Sequence, residues 1–260
     1  MQIPFYKYQG TGNDFVIIDQ FTDQHLSAKD QEILKHICHR RFGVGADGLI
    51  LLEASPKNAF NMTYFNADGK EGSLCGNGAR CAVACSRDLG KFDRSGRFEA
   101  VDGIHTAKIM KNGSIELKMQ NLEAVEIGEG YYIMDTGSPH YIAFVEDLDD
   151  IDIVDAGRAI RYADRFKDNG INVNFVEVHS DQIIVGTYER GVEDETLSCG
   201  TGVTAAALAH ALRNELTNSK IKVKTKGGHL SIKFKRNLAG FENIWLCGPA
   251  QKVFAGAIEV

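Results

Sequence analysis

The sequence predicts an α+β fold built from two pseudo-symmetric halves, each a curved, mostly antiparallel sheet or barrel wrapped around one central helix. Three observations carry this. The chain repeats itself: Arg41-Phe42 returns as Arg165-Phe166, Glu53 as Glu177, Cys75 as Cys199 and Gly103-Ile104-His105 as Gly227-Gly228-His229, each pair 124 residues apart. Thr11-Gly12-Asn13 answers to Thr136-Gly137-Ser138 at 125, through one inserted residue. Two copies rather than many imply a pair of domains and not a solenoid, here 1–119 and 120–248. Next, Cys81-Ala82-Val83-Ala84-Cys85 and Val203-Thr204-Ala205-Ala206-Ala207-Leu208-Ala209 read as helices without a polar face, which must be buried on every side. Most remaining segments read as short strands with hairpin turns, so sheet is what must enclose those helices.

In chain order, a strand over Phe5 to Tyr8 leads through the glycine-rich turn Gly10-Thr11-Gly12-Asn13-Asp14 to a second strand, Phe15 to Asp19. Ser27 with Asp30 is an N-cap signal for a helix carrying Ile33, Leu34 and Ile37 on one side. After the loop Arg41 to Gly48 come strands over Leu49 to Glu53 and Asn61 to Asn66, then the helix behind Cys75. A hairpin follows, His105 to Met110 and Ser114 to Met119, closed by Asn112-Gly113.

Composition excludes several classes. A formal net charge of −6 without a Lys/Arg block argues against nucleic acid or an anionic membrane as the partner. The acidic run Asp147, Asp149, Asp150, Asp152 lacks the glycine and glutamate of a calcium loop and reads as a solvated approach to a helix. The N-terminus has no apolar signal core and no segment approaches 18 apolar residues, so a cytoplasmic protein is expected. The 6 cysteines show no disulfide-scaffold pattern, which fits a reducing compartment where single thiols are free to be chemical.

Cys75 precedes Gly76-Asn77-Gly78 and Cys199 precedes Gly200-Thr201-Gly202, each at the start of its small-residue helix. A helix N-terminus offers unpaired N–H groups and a positive dipole end, which favour a thiolate. Two thiols at mirrored positions suit a reaction on opposite faces of one atom, such as epimerisation, in which one base removes a proton and a conjugate acid supplies another. Gly76 and Asn77, with Gly200 and Thr201, would present backbone N–H groups to an α-carboxylate. There they stabilise the charge that develops as the carbanion forms, without an electron-sink cofactor.

Gly12-Asn13-Asp14-Phe15-Val16, Phe65-Asn66-Ala67-Asp68-Gly69, Cys75 to Cys81, Pro139-His140, Asn172, Tyr188-Glu189-Arg190-Gly191 and Cys199-Gly200-Thr201-Gly202 together resemble diaminopimelate epimerase over nearly the whole chain. The resemblance implies interconversion of LL- and meso-2,6-diaminoheptanedioate, with neither pyridoxal phosphate nor metal, in lysine and peptidoglycan precursor synthesis. It implies Cys75 and Cys199 as the acid/base pair, and Asn13, Asn66, Asn172 and Arg190 as substrate-binding residues, Arg190 pairing bidentately with the distal carboxylate. It further implies Glu189 and His140 as residues that tune the thiols and contact substrate, a homodimer, and a final strand, within 249–260, that returns to the first domain. Two positions depart from the family pattern. Gly48 stands where glutamine is common, and Ser138 where asparagine is common.

The other cysteines, Cys38, Cys81, Cys85 and Cys247, read as core residues, and the cluster Cys75, Cys81 and Cys85 lacks the Cys-x-x-Cys spacing of a zinc site. His36 and His39 read as complements to a helix C-terminus. Gly43-Val44-Gly45-Ala46-Asp47-Gly48 matches a dinucleotide fingerprint by letter, but it follows a helix and precedes a strand, the reverse of the required context. A proline or hydroxyproline racemase is the alternative of the same mechanism, set apart by the polar set Arg190, Asn66 and Asn172. A redox-active dithiol protein is the alternative of another class, and it has no use for glycine loops built to hold a carboxylate.

Overall fold

The computed structural model describes residues 2–260. Two compact units divide the chain: one runs to Leu117 and takes back Gly248–Val260, and the other is Lys118–Cys247. The first contains β1 (Gln2–Gly10), β2 (Asn13–Gln20), α1 (Gln31–Cys38), β3 (Gly48–Glu53), β4 (Asn61–Asn66), α2 (Gly76–Asp88), β5 (Ser95–Ala100), β6 (Gly103–Ile109) and β7 (Ile115–Lys118). The second contains β8 (Glu126–Ile127), β9 (Tyr131–Asp135), β10 (Pro139–Val145), α3 (Ile153–Arg161), β11 (Asn172–Val178), β12 (Ile183–Glu189), β13 (Asp194–Thr196), α4 (Gly200–Arg213), β14 (Asn218–Thr225), β15 (Gly228–Asn237) and β16 (Gly240–Gly248). The last strand, β17 (Gln251–Glu259), pairs antiparallel with β1, as β8 pairs with β9.

The repeat is visible pairing by pairing. β2 runs parallel to β3 across the crossover helix α1, and β10 runs parallel to β11 across α3. Next, β3 pairs antiparallel with β4, and β11 with β12. After the buried helix the chain rejoins the sheet in parallel, β5 beside β4 and β14 beside β12. The sheets are therefore mixed, with antiparallel pairs in the majority.

The strand sequences follow from burial on both faces. Phe15-Val16-Ile17-Ile18 and Leu49-Ile50-Leu51-Leu52 are unbroken apolar runs, and all eight residues are buried. Val16, Ile18, Leu49 and Leu51 pack with Leu34 and Ile37 of α1, which leaves the alternate residues for the opposite face. In the second unit Val173 and Phe175 pack with Ile153 at the start of α3, while Ile142 and Val176 join Val203 and Leu208 of α4. Both central helices are sunk in their units: residues 77–86 of α2 and 202–209 of α4 are all buried. Alanine-rich surfaces let the strands approach closely, and this is why these helices lack the amphipathic stripe of surface helices.

One boundary differs from the sequence reading, for a local reason. Helix α1 begins at Gln31, not behind Ser27, because the Ser27 N–H and hydroxyl both donate to the Asp30 carboxylate at 2.8 and 2.9 Å, closing a turn ahead of the helix. The Asn112-Gly113 hairpin closes as read, a three-residue loop with the Met110 N–H on the Ser114 carbonyl at 2.8 Å and Gly113 in the left-handed region, φ 82°. The acidic approach to α3 ends in a cap, Asp152 accepting from the Asp155 N–H at 2.9 Å.

Candidate active site

Each unit carries a half-site at the start of its central helix. Cys75 is the N-cap of α2 and Cys199 the N-cap of α4, both in extended backbone geometry, with φ/ψ of −90°/117° and −104°/113°. Their carbonyls accept the first helical bonds, from Ala79 at 2.8 Å and Val203 at 2.9 Å. The side chains therefore stand at the helix ends where the N–H groups of the first turn are unpaired by the helix itself. Cys75 is half-buried and Cys199 buried.

In the first unit the site is held from beneath by Arg80, which is fully buried. Its guanidinium donates to Asn77 Oδ1 at 2.8 Å and Thr11 Oγ1 at 3.0 Å, and to the carbonyls of Gly76 and Pro249, both at 3.3 Å. With its oxygen occupied, Asn77 turns its amide N–H to Asn13 Oδ1 at 2.6 Å, and Asn13 in turn donates to Asp47 Oδ2 at 3.0 Å. Asn13 opens β2 directly after a two-residue turn in which Thr11 and Gly12 both have positive φ, 52° and 90°. A β-branched residue there is strained, and the bond from Arg80 is one of the contacts that hold it. Asp14 anchors the same turn, paired with Lys7 at 2.8 Å and Arg40 at 2.7 Å. Burial pushes its carboxyl up, but the two cations outweigh that and hold it down at about 2.

The second unit repeats this plan with different side chains. Thr201 stands for Asn77 and Ser138 for Asn13, their hydroxyls 3.3 Å apart. His140, fully buried on β10, lies 2.9 Å from Thr201 Oγ1 and 3.1 Å from Ser138 Oγ through Nε2, and Thr201 Oγ1 is 3.4 Å from Cys199 Sγ. Burial, with the positive charge of Arg190 added, pushes the imidazole down to about 3, so it is neutral at physiological pH. Asn172 brackets the group: its Nδ2 donates to Ser138 Oγ at 3.0 Å and to the Pro139 carbonyl at 3.2 Å, and its Oδ1 accepts from the Arg190 N–H at 2.8 Å. The Arg190 side chain is exposed, one nitrogen on the Asn169 carbonyl at 2.7 Å. Beside it, burial raises the Glu189 carboxyl, with Thr196 pulling the other way.

Residues 5–125 and 132–253 match the family model described as diaminopimelate epimerase. The chain is 44% identical to a diaminopimelate epimerase of Flavobacterium psychrophilum over 97% of its own length and 99% of that protein's. It is 41% identical to one from Chlorobaculum tepidum, covering 96% and 99% of the two chains, and 38% identical to one from Aquifex aeolicus, covering 98% and 97%. It belongs to the diaminopimelate epimerase family. Solved structures far apart in sequence share the fold of this family member: a Bacillus anthracis phenazine biosynthesis protein of the PhzF family has a TM-score of 0.80 at 16% identity, each chain covered in full. A hydroxyproline epimerase from Agrobacterium vitis has a TM-score of 0.67 at 13% identity, with 99% of this chain and 92% of that one covered.

Within this epimerase-family chain, the structure gathers Cys75, Gly76, Asn77 and Asn13 in the first half-site. Cys199, Gly200, Thr201, His140, Asn172 and the Arg190 backbone lie in the second. Asn66 is an exposed turn-former at the end of β4, its carbonyl accepting from the Gly69 N–H at 2.9 Å, and its side chain reaches toward Gly72. The two family departures have local reasons. A Cβ at Gly48 would lie 2.5 Å from the Tyr64 ring and 2.6 Å from the Phe65 carbonyl, so a longer residue has no room. Ser138 matches its hydroxyl to Thr201 and His140. Arg80, Thr11 and Asp47 were missed as site residues; an arginine inside the small-residue run of a helix read as buried on every side was the available signal, since a buried charge must be paired. The Gly43 to Gly48 loop caps α1, with the Val44 and Gly45 N–H groups on the Ile37 carbonyl at 2.9 and 3.1 Å. Burial pushes the Cys38 and Cys85 thiols up to about 12 and raises that of Cys81 as well, which leaves them unreactive core residues.

Proposed function

We propose that the chain interconverts LL- and meso-2,6-diaminoheptanedioate by two-base proton transfer, supplying lysine and peptidoglycan precursors. One of Cys75 and Cys199 acts as thiolate and removes the α-proton, and the other, as thiol, returns a proton to the opposite face. The observation that carries this is the matched pair of N-cap thiols, each followed by a glycine and a hydrogen-bonding residue at a buried helix start. The N–H groups of Gly76, Asn77, Gly200 and Thr201 receive the α-carboxylate, whose charge grows as the α-carbon loses its proton. Asn13, Asn66, Asn172 and Arg190 bind the remainder of the substrate, the Arg190 guanidinium taking the distal carboxylate. His140 and Glu189 tune the thiols. The scheme asks nothing of a metal or an electron-sink cofactor.

A homodimer is part of the proposal: β17 presents Val253 and Phe254 about half exposed, apolar surface suited to a second copy. Sedimentation equilibrium tests it, and a monomer at micromolar concentration refutes it. For the reaction, the purified protein is incubated in deuterated water with LL-diaminopimelate and, separately, with L-proline. Stereochemical change and α-deuterium in the first alone are expected. Change in the proline sample alone would move the chain to the racemase reading. Exchange retained in both Cys75→Ala and Cys199→Ala would remove the two-base scheme.

A further inference from the structure

The two half-sites differ at two positions whose register is the same. His140 pairs with Asn172 across β10 and β11, two residues before Asn174, as Phe15 pairs with Gly48 across β2 and β3, two residues before Ile50. The third helix residue reports the same equivalence. A Cβ at Gly78 would touch Ile50 and Phe15, at 3.3 and 3.4 Å, and a Cβ at Gly202 would touch Asn174 and His140, at 2.3 and 3.2 Å. Under Cys75 the pair is apolar, and under Cys199 it is a histidine and an asparagine, both fully buried.

The hydrogen bonds of Asn174 leave one arrangement of protons. The Tyr141 carbonyl can only accept, so the amide atom beside it is Nδ2 and the orientation is set, with Oδ1 accepting from the Thr187 hydroxyl at 3.0 Å. Its Nδ2 then has two protons, one for the Tyr141 carbonyl at 3.0 Å and one for His140 Nδ1 at 3.0 Å. An Nδ1 that accepts is bare, so the neutral imidazole carries its proton on Nε2. That N–H donates to Thr201 Oγ1 at 2.9 Å, shared with Ser138 Oγ at 3.1 Å. Ser138 Oγ, 3.3 Å from Thr201 Oγ1, already accepts from Asn172 Nδ2 and shares the His140 proton, so it offers its own proton to Thr201, and the Thr201 proton is left for Cys199 Sγ at 3.4 Å.

We propose that Asn174 is a positioning residue: it fixes His140 as the Nε2–H tautomer, and so aims the Thr201 O–H at the Cys199 sulfur. A donor aimed at sulfur stabilises the thiolate over the thiol. No proton changes owner in this chain of bonds; it holds a charge in place. The other charged or titratable groups of the second half-site are Arg190, whose field reaches His140, and Glu189 beside it. Cys75 has no such histidine in its own unit, where Phe15 and Ile50 fill the place, so the two thiols are chemically unequal. The inference rests on Cys199 being an acid/base thiol.

Nitrogen-15 correlation spectra of the histidine rings, with His140→Gln to assign the signal, read the tautomer in the whole protein without turnover. The expected result from pH 6 to 8 is a protonated Nε2 and a bare Nδ1 on His140. A protonated Nδ1 or an imidazolium overturns the proposal. In Asn174→Leu the fixed tautomer should give way, and the pH midpoint of Cys199 alkylation, followed by peptide mass spectrometry, should rise by about one unit. A pure Nε2–H tautomer in that variant overturns it. Should Asn174→Leu fail to fold, Thr201→Val serves instead: the Cys199 midpoint should rise, and Thr201→Ser should restore it. An unmoved midpoint in Thr201→Val overturns the proposal. Deuterium uptake by the wild type from LL-diaminopimelate tests the underlying reaction separately, so failure of one is not mistaken for failure of the other.

Discussion

Gly78 and Gly202 are the third residues of α2 and α4, and alanine at each is the same chemical change in two copies of one motif. At Gly202 the new methyl lies 2.3 Å from Asn174 Oδ1, where ordinary contact begins at 3.4 Å, so Asn174 must retreat by about 1 Å. It is held by bonds to Thr187, Tyr141 and His140, and retreat breaks or lengthens each. Overpacking of this kind costs about 1–3 kcal/mol, while replacing glycine inside a helix returns at most about 1 kcal/mol, less in the first turn. The net loss for Gly202→Ala is therefore about 1–2 kcal/mol. At Gly78 the nearest atoms are the Ile50 terminal methyl and the Phe15 ring edge at 3.3 and 3.4 Å, and a methyl that gives by a few tenths of an ångström is enough. Gly78→Ala should thus lie within about 0.5 kcal/mol of wild type, propensity and tight packing nearly cancelling. Urea denaturation measures both, and turnover of LL-diaminopimelate should fall more in Gly202→Ala, where His140 loses its partner. Equal stability and equal activity for the two variants would refute the reasoning.

Four further outcomes are expected. Asp14 is held at about 2 against an ordinary 3.8, so its pairing stabilises the fold by on the order of 2 kcal/mol above about pH 4, and this is lost as pH falls toward 2; Asp14→Asn should be destabilised at pH 7 and flatten the acid limb of the stability profile. The Glu189 carboxyl is raised by burial, so stability falls as pH climbs from the ordinary 4.5 through its folded value, and the cost is full above that. Glu189→Gln should therefore be the more stable protein at pH 8, equal to wild type at pH 3, and less active. Gly48→Gln should lower the urea midpoint, and adding Tyr64→Ala should restore only part of it, because the Phe65 carbonyl 2.6 Å from the new Cβ remains. Iodoacetamide at pH 8 should label Cys75 well before Cys38, Cys81 or Cys85, whose thiols are buried and raised.

Much of this was legible because the physics involved is periodic or local. The runs Phe15 to Ile18 and Leu49 to Leu52 announce strands covered on both faces. The small-residue helices announce burial, and the repeat announces that each N-cap cysteine has a counterpart. Less legible were strands with weak patterning: Ser95-Gly96-Arg97-Phe98-Glu99-Ala100 has one fully buried apolar residue, Phe98, and is held as a strand by pairing with β6. Turn type was hidden as well. Thr11 carries a positive φ that its residue type opposes, and the support comes from Arg80, remote in sequence. Asn174 was passed over for a related reason. It sits on a strand between apolar neighbours, and its partners His140, Tyr141 and Thr187 are brought to it only by the register of three strands.

The same register says how two copies of one half-site came to differ. The backbone plan was kept: N-cap thiol, glycine, a polar residue that meets the turn before the second strand, glycine. What changed is the pair of side chains under the helix start, Phe15 and Ile50 in one copy, His140 and Asn174 in the other. An apolar pair needs nothing but volume, whereas a buried polar pair is tolerated only when every donor and acceptor is met. Asn174 meets all of its own, which requires Thr187, the Tyr141 carbonyl and a bare His140 Nδ1 together. A requirement that strict leaves one tautomer for His140, with its proton on Nε2, facing Thr201. A two-base epimerase must hold one thiol charged and the other neutral before it can turn over in either direction, and symmetric half-sites would leave that choice to the substrate. An unequal pair under equal helices would bias that choice in the protein itself, through the Thr201 hydroxyl 3.4 Å from Cys199 Sγ.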